Sequence, residues 1–359
     1  MSAPRILQMI EGGRRNGAAA VLLTLAEGLR DQPFCIHYGV FRDNPLAAIL
    51  DSRGFEVQRL PIRRRIDLVG IAHLIRMLHR ERYDLVHTHL SRATWNGCIA
   101  GRLCGLPVLA TAHSLEKRMP YALATHVIAV CEAVRFHLAS QGIPNSRVSV
   151  VYNGIPIAPQ RDAAEKQAAQ AALGVLGAEL VVGCASRAVE EKGVDVALRT
   201  VALLRGDGVD AKLLFAGDGD ALSDLNILSR DLGLAEHVVF LGYISDIRQV
   251  LAALDVFLLP TRREGFSIAI LEAMAAGIPC VAASVGGIPE SLADATGKIV
   301  DGHDPEDYQN AICELIKNPA ATQQMVCDAR KRLEQRFTMQ SMSASTAEVY
   351  TRLLKFRAV

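Results

Sequence analysis

Two glutamates with seven residues between them are the side chains whose types and spacing most clearly suggest chemistry. Glu264 follows a strand-like run at Val256–Pro260, and Glu272 lies about two helical turns further along the chain. A carboxylate accepts at least two hydrogen bonds, which suits the neighbouring hydroxyl groups of a ribose or a hexose. Taken singly, each glutamate is better explained as an acid favoured by a helix dipole or as a solvated helix residue. Within the whole segment, a binding role is the stronger interpretation.

The loop between the two glutamates predicts a phosphate site. A strand, a glycine-containing loop and a helix follow one another here, and the first N–H groups of a helix have no partner within it. The N–H groups expected to bind an anion belong to Phe266, Ser267 and Ile268, with Gly265 in the same loop.

A pair of cations could complete this phosphate site. Arg187 and Lys192 lie five residues apart after another strand-like run. One guanidinium and one ammonium at a strand end could neutralise a diphosphate as it leaves. Beside the Glu264 loop this interpretation is favoured over two solvated surface cations. Since these groups supply positive charge, we expect no metal and no further cofactor.

The composition is that of a globular protein with two domains. The chain has 359 residues, half of them hydrophobic and 21% charged, and only 5% are aromatic, which argues against a large stacking surface for nucleic acid. Its eight scattered cysteines favour free thiols in a reducing compartment over disulfides or zinc. The short, alternating N-terminal apolar run predicts a strand and not a signal peptide, so a cytoplasmic location is expected.

Charge divides the chain into two halves. Residues 1–152 hold 19 Lys and Arg against 11 Asp and Glu, a net charge of +8, and the remainder has a net charge of −7. A basic N-terminal domain would attract an anionic acceptor or a membrane surface. Arg59 and Arg63–Arg65 precede an apolar helix at 66–78 that could dock peripherally on an anionic bilayer. A sheet-covering helix with a solvated basic face is the favoured alternative.

Strand-like runs alternate with helix-length amphipathic segments along the chain. This alternation predicts an α/β fold with two doubly wound, Rossmann-like domains, each a parallel sheet covered by helices. We expect an N-terminal domain at 1–155, a linker and opening helix at 156–178, and a C-terminal domain at 179–338. A last helix at 339–359 is expected to pack back on the first domain. In such folds the default binding site is a cleft beyond the C-terminal strand ends.

Over nearly its whole length the chain resembles glycosyltransferase family 4, the retaining group 1 enzymes with the GT-B fold. The segment from Glu264 to Pro279 is similar to the E-x7-E signature of that family. Shorter matches occur in the family's order, and they are Glu11–Gly13 with Gly17, Asp84–His89, Thr111–His113, Val151–Gly154, Ala185–Arg187 with Glu191–Gly193, Gly217–Gly219 and Leu241–Tyr243.

The resemblance implies that the domain at 1–155 binds the acceptor and that the domain at 179–338 binds the nucleotide-sugar donor, and it implies roles for single residues. Glu264 would orient the reacting sugar, Glu272 would hold the ribose, and Arg187 and Lys192 would stabilise the leaving diphosphate. His113 would contact the donor sugar. The remaining donor-binding positions that it implies are Gly13, Gly219 and Tyr243.

On the acceptor side the chain departs from the family. The expected acceptor contacts are Gly12, Arg14, Arg15 and His89. The family often has an acidic residue shortly after the glycines, where this chain has two arginines, and that change suggests an anionic acceptor. The glycine spacing does not match the dinucleotide fingerprint, so we do not expect NAD.

Asp218 and Asp220 invite comparison with a D-x-D metal motif. Here they lie where the resembled family has a tight turn near the nucleotide, so we expect no metal site.

The resemblance therefore implies a retaining, metal-independent glycosyltransferase. It would move a sugar from a nucleotide-diphosphate donor, UDP in preference to GDP, to a hydroxyl of a glycan or lipid-linked acceptor, as in polysaccharide, lipopolysaccharide or glycolipid synthesis. Two alternatives stay open at this point. One is a nucleotide-sugar epimerase or hydrolase of the same architecture, and the other is a non-catalytic sugar- or lipid-binding partner.

Overall fold

The structure is a computed structural model, and it describes residues 3–11, 17–42, 44–157 and 159–355. The chain divides into two units. Unit 1 comprises Met1–Ile155 and Thr338–Val359, and unit 2 comprises Pro156–Phe337. None of the helices within the described ranges is long and apolar enough to cross a bilayer.

Strands and helices alternate along the described chain. The strands are β1 (Arg5–Ile10), β2 (Cys35–Phe41), β3 (Val57–Leu60), β4 (Leu85–His89), β5 (Val108–Ala112), β6 (His126–Ala129), β7 (Val148–Val150), β8 (Leu180–Ala185), β9 (Ala211–Ala216), β10 (Val238–Gly242), β11 (Val256–Leu259), β12 (Cys280–Ala283) and β13 (Lys298–Val300). The α-helices are α1 (Gly17–Gly28), α2 (Leu46–Ser52), α3 (Leu68–Arg80), α4 (Ser91–Leu103), α5 (Glu132–Ser140), α6 (Ala163–Ala172), α7 (Val194–Gly206), α8 (Leu222–Asp231), α9 (Arg248–Ala253), α10 (Ile268–Ala275), α11 (Ile288–Ser291), α12 (Pro305–Lys317), α13 (Pro319–Arg336) and α14 (Met339–Lys355).

Each unit contains one parallel sheet flanked by helices. The sheet of unit 1 has the order β3-β2-β1-β4-β5-β6-β7, and that of unit 2 has the order β10-β9-β8-β11-β12-β13. Central strands such as β4 and β5 are buried along their whole length, as parallel strands covered on both faces must be. The doubly wound fold predicted from the alternation is confirmed.

The strand order brings particular loops together. In unit 2 the chain runs outwards from β8 through β9 to β10 and then returns to place β11 on the other side of β8. The loops that follow β8 and β11 are therefore neighbours at the carboxyl edge of the sheet. Unit 1 has the same reversal between β1 and β4. Ligands of doubly wound folds bind where the strand order reverses in this way.

The last helix is tied to the sheet of unit 1 by a buried tyrosine. The Tyr350 hydroxyl on α14 accepts a hydrogen bond from Nε2 of Gln8 on β1 at 2.8 Å. It lies 2.7 Å from Nδ1 of His87 on β4, to which it can donate. All three side chains are buried, so Nε2 of Gln8 and Nδ1 of His87 both depend on the Tyr350 hydroxyl for a partner.

We expect Tyr350→Phe to destabilise unit 1. The substitution keeps the ring but leaves the Gln8 amide and the His87 imidazole without their shared partner, at a cost of ~1–3 kcal/mol. Denaturant titration followed by circular dichroism measures this loss. The exposed neighbour Thr351→Ala on the same helix is the control and should change little. An unfolding midpoint for Tyr350→Phe equal to that of the control would contradict the role of the hydroxyl.

Candidate active site

An ion pair joins the loops that follow β8 and β11. The Lys192 Nζ lies 3.0 Å from Oε2 of Glu264 and also donates to the Arg263 carbonyl oxygen at 3.1 Å. Both charged side chains are mostly withdrawn from solvent, with 13% and 19% of their surfaces exposed. An ion pair at this depth is screened less by salt than a surface pair. The structure thus brings together two residues that the sequence separates by 72 positions.

Two glycines allow the loop after β11, which carries Glu264, to approach the loops after β8 and β12 backbone to backbone. Gly193 has φ +66°, and a Cβ there would lie 2.0 Å from the Pro260 carbonyl oxygen. Gly286 has φ +54°, and a Cβ there would lie 2.0 Å from the carbonyl oxygen of Glu264. Any other residue would force the loops apart at both positions. The Lys192–Glu264 distance therefore depends on glycine on each side of the Glu264 loop.

Arg262 fixes the loop that carries Lys192. Its guanidinium pairs with both carboxylate oxygens of Asp195 at 2.9 and 2.8 Å, and it also donates to the Glu190 carbonyl at 2.7 Å. Burial alone would raise the pKa of Asp195, but the hydrogen bonds and charge of Arg262 outweigh it and lower the pKa. Sequence reasoning missed this pair, because only the adjacency of β8 and β11 relates the two residues.

A buried hydroxyl strengthens the same junction. Oγ1 of Thr261 lies 3.0 Å from the carbonyl oxygens of both Glu191 and Arg263. It can donate to either carbonyl, so it links the two loops, and the Arg263 carbonyl is the one that also accepts from Lys192. Thr261 is also a residue that sequence reasoning did not identify, since its position after β11 is marked by no motif.

Helix α10 begins where the sequence predicts a phosphate site. Ser267 is the N-cap residue, and its Oγ accepts from the Ile270 N–H at 3.4 Å. Oε1 of Glu264 accepts from the Gly265 N–H at 3.0 Å. The Phe266 ring is buried against Phe337, with their centroids 5.2 Å apart. The side chain of Phe266 therefore belongs to the core, and only its backbone is suited to an anion.

Glu272 lies on α10 without a partner for its carboxylate among the residues that the structure describes. Burial, and then the charge of Asp246, raises its pKa to about 7. Glu272 is half-buried, and a partly buried carboxyl group without a partner costs free energy when it ionises. A ligand with hydroxyl groups could supply the missing hydrogen bonds, so Glu272 is a candidate binding residue.

The other predicted donor-binding residues follow neighbouring strands at the same edge of the unit 2 sheet. Arg187 follows β8 but contacts neither Lys192 nor Glu264 directly. Its guanidinium is exposed and lies 2.6 Å from the Glu191 carboxylate. Gly219 follows β9, and the exposed Tyr243 follows β10.

The predicted absence of a metal site is not contradicted in the described ranges. They contain no cluster of three or more His, Cys, Asp or Glu side chains that could hold a metal ion. Oδ1 of Asp218 accepts from the Gly219 N–H at 2.8 Å, as in a tight turn, and Asp220 is exposed. Metal independence stays a prediction.

In unit 1, three histidines form a row at the carboxyl ends of β4 and β5. The ring centroids of His87 and His89 are 4.3 Å apart, and those of His89 and His113 are 5.3 Å apart. Burial lowers the pKa of His87 to about 3 and that of His113 to about 4, and it holds the pKa of His89 well below its ordinary value. All three imidazoles are therefore neutral at pH 7.

The hydrogen bonds of the row decide which nitrogen of His113 carries the proton. Nδ1 of His89 lies 3.1 Å from Nε2 of His113, while the buried Nε2 of His89 has no partner among the described residues. A buried N–H without an acceptor is rarer than a buried lone pair without a donor. The favoured arrangement therefore places the His89 proton on Nδ1, where it is donated to His113. His113 then carries its own proton on Nδ1 and can donate it to a ligand.

Four predicted residues lie outside the described ranges. They are Gly12, Gly13, Arg14 and Arg15. The neighbouring Glu11 is described, and its carboxylate accepts from the N–H of Arg92 in the first turn of α4 at 2.9 Å and pairs with the Arg92 side chain at 2.7 Å.

Comparison with known proteins gives a context for both units. A model of the glycosyl transferases group 1 matches residues 179–318, and a model of glycosyltransferase family 4 matches residues 15–158. The chain is 30% identical over 307 residues to a D-inositol 3-phosphate glycosyltransferase of Streptomyces avermitilis. That alignment covers 75% of this chain and 65% of the relative's length.

Two further similarities cover more of both chains. A D-inositol 3-phosphate glycosyltransferase of Mycobacterium sp. strain KMS is 30% identical over 348 residues, which is 88% of this chain and 78% of that protein. Among solved structures, the Anabaena protein HepE in complex with UDP-glucose has a TM-score of 0.87 and 25% identity. The match covers 97% of this chain and 99% of HepE.

We expect Glu272→Gln to change how stability depends on pH. The pKa of Glu272 is about 7 in the folded chain and near its ordinary 4.5 when unfolded, so the folded state holds more protons between these values. The free energy of unfolding therefore falls as pH rises from about 4.5 to 7. Glutamine does not ionise, so this decrease should be absent from Glu272→Gln. Denaturant titrations should show a stabilised variant at pH 8 but not at pH 4.5. The exposed Glu236→Gln is the control, and parallel pH curves for both variants would contradict the assignment.

The tautomer of His113 is directly measurable. Long-range nitrogen–proton NMR of histidine-labelled protein at pH 7 should show His113 protonated on Nδ1, with its signals assigned by their loss in His113→Asn. In His89→Phe no N–H can be donated to Nε2 of His113, so the preference of the His113 proton for Nδ1 should disappear. Protonation of His113 on Nε2 in the unsubstituted chain would overturn the arrangement.

Proposed function

The chain belongs to the group 1, family 4 glycosyltransferases, and on that premise we propose that it transfers a sugar from a UDP-sugar to a hydroxyl with retention at the anomeric carbon. The observation that supports the proposal most is the Lys192–Glu264 pair at the start of α10. It places a cation, a carboxylate and a helix N-terminus at one end of a doubly wound sheet, where donors of this class would need them.

Lys192 has capacity left for a phosphate. An ammonium group has three N–H donors, and the contacts to Glu264 and Arg263 occupy two of them. The third has no partner among the described residues. A diphosphate could therefore bind Lys192 without displacing Glu264, and Arg187 could join from the same loop by turning away from Glu191.

Glu264 is suited to the reacting sugar. Its two oxygens accept from Gly265 and Lys192, and each retains a lone pair for a sugar hydroxyl. In the proposed step the bond between the anomeric carbon and the phosphate oxygen breaks, so negative charge grows on the phosphate and positive charge on the sugar. The negative charge on the phosphate is stabilised by Lys192, Arg187 and the N–H groups at the start of α10. The positive charge on the sugar is stabilised by Glu264. The oxygen of the acceptor hydroxyl forms a new bond to the anomeric carbon on the face from which the phosphate leaves, and the departing phosphate takes the hydroxyl proton, so the proposed step uses no metal.

Glu272 would hold the ribose of the donor. Its unpaired carboxylate lies on the same helix as the phosphate site, about one turn from Ile268 at the start of α10. Hydrogen bonds from two ribose hydroxyls would satisfy it and favour its ionised form. Donor affinity should accordingly weaken as pH falls below about 7.

The proposed donor and acceptor draw support from the relatives. HepE was solved with UDP-glucose, which favours uridine as the base here. The two bacterial relatives are named for a phosphorylated inositol, an anionic molecule with free hydroxyls. Unit 1 of this chain has 22 Lys and Arg against 12 Asp and Glu, a net charge of +10, which suits an anionic acceptor of glycan or lipid-linked type.

A thermal-shift panel of UDP-, GDP-, ADP- and CMP-sugars identifies the donor, because a bound ligand raises apparent stability by mass action. The largest shift is expected from a UDP-sugar. The same donor incubated without acceptor should keep its sugar configuration. Rapid isomerisation would instead favour an epimerase, and the anomeric coupling constant of a transferred sugar tests retention.

We expect Lys192→Ala and Glu264→Ala each to reduce donor turnover by ~10²-fold or more, the scale of losing one charge-stabilising group. Release of nucleoside diphosphate measures turnover. The surface pair Lys298–Glu314 in unit 2, with its charged atoms 2.7 Å apart, supplies matched controls in Lys298→Ala and Glu314→Ala. Near-normal turnover by a folded Lys192→Ala or Glu264→Ala protein would contradict the proposed site.

A further inference from the structure

The segment Arg63–Val69, here called the α3 tip, presents cationic and apolar side chains to solvent together. Leu68 and Val69 in the first turn of α3 are 78% and 77% exposed, and within the described ranges no large hydrophobic side chain is more exposed. Ile66 and the three arginines Arg63–Arg65 are also exposed. Scattered single apolar residues are ordinary on surfaces, but three within four positions beside three arginines are not.

The backbone of the α3 tip is held in place. The Asp67 carboxylate caps α3 by accepting from the Gly70 N–H at 2.9 Å, and it also accepts from the Arg63 N–H at 2.9 Å. The buried Asn96 on α4 accepts from the Asp67 N–H at 2.9 Å and donates to the Arg65 carbonyl at 3.0 Å. These hydrogen bonds fix the backbone of the α3 tip, so its exposed side chains project from a rigid turn.

The α3 tip keeps a net positive charge, since it holds three arginines and one acid, Asp67, whose pKa the charge of Arg64 helps to lower. Within the described ranges none of the three forms an ion pair, whereas the nearby Arg59 pairs with Asp51 at 2.7 Å and Arg80 pairs with Glu81 at 2.9 Å. The Arg65 guanidinium lies 5.2 Å from the centre of the Trp95 ring, which positions it without cancelling its charge. The α3 tip thus adds unpaired positive charge to a unit that is already basic.

We propose that the α3 tip docks end-on onto an anionic lipid bilayer. Ile66, Leu68 and Val69 enter the boundary between headgroups and acyl chains, while Arg63, Arg64 and Arg65 bind the lipid phosphates around them. An acidic protein or a second copy of this chain is a less suitable partner for the α3 tip. A stable protein interface uses roughly 20–30 residues from each partner, and the tip has only seven. A bilayer contact requires no complementary pocket.

The buried face of α3 agrees with the interpretation that the sequence favoured, a helix that covers the sheet, and it rules out docking along the length of the helix. A helix at 66–78 lying in the plane of the bilayer would need its apolar face free. That face is instead buried within unit 1, and its residues are Gly70, Ile71, Leu74, Met77 and Leu78. The exposed apolar side chains lie only at the first turn of α3 and in the residue before its cap. The contact is therefore confined to one end of the helix.

Co-sedimentation of the full chain with phosphatidylcholine vesicles, with and without phosphatidylglycerol, tests this proposal. The unsubstituted protein should bind only the anionic vesicles, and less in high salt. Arg63→Gln/Arg64→Gln/Arg65→Gln should reduce the affinity by roughly 10²-fold, and Leu68→Ser/Val69→Ser by roughly tenfold. Leu103→Ser on α4, where leucine is 68% exposed, is the matched apolar control and should bind normally.

Three results would overturn the proposal. The first is no binding to anionic vesicles at low salt. The second is unchanged binding by Leu68→Ser/Val69→Ser, which would reduce the interaction to unspecific charge attraction. The third is a dimer in light scattering that Leu68→Ser/Val69→Ser abolishes, since that would assign the α3 tip to self-association. Each readout is independent of donor binding, so its failure would leave the proposed function untouched.

Discussion

The contact between Lys192 and Glu264 depends on how closely two strand-end loops can approach. Because β11 lies beside β8, the chain segments that follow them meet. Gly193 has no side chain that would push the segment after β8 away from the Pro260 carbonyl in the segment after β11. Arg262 and Thr261 then join the loops by side-chain bonds to backbone carbonyls. The charged pair is thus held by contacts that need no ligand, which is the condition for stabilising charge as it develops.

Much of this arrangement could be predicted from the sequence. The alternation of strands and helices predicts the parallel sheets, and the segment from Glu264 to Glu272 predicts a helix N-terminus after a strand. The pairing of Arg262 with Asp195 could not be predicted, because it depends on strand order and not on spacing. Nor could the bond between Tyr350 and His87, two residues 263 positions apart. The apolar period of α3 favoured a helix that covers the sheet, but it could not show that Leu68 and Val69 in the first turn stay exposed.

The two units have different electrostatic characters. Unit 2 carries 17 Lys and Arg against 26 Asp and Glu, a net charge of −9, yet its site concentrates Lys192 and a helix N-terminus where a diphosphate would bind. Unit 1 is strongly basic, but its histidine row is neutral at pH 7, because burial holds the pKa values of His87 and His113 at about 3 and 4. His113 is therefore suited to donate a hydrogen bond and not to bind an anion by charge. In each unit, local burial and not net charge decides what the site residues can do.

A crystal structure with the nucleotide sugar that stabilises the chain most would show whether Lys192 and Glu264 bind the donor. We expect the diphosphate within hydrogen-bonding distance of Lys192 and the N–H groups at the start of α10. We also expect the ribose hydroxyls to bind Glu272 and the sugar to bind Glu264. A nucleotide bound elsewhere, with the Lys192–Glu264 pair in contact with no part of it, would disprove the proposed site.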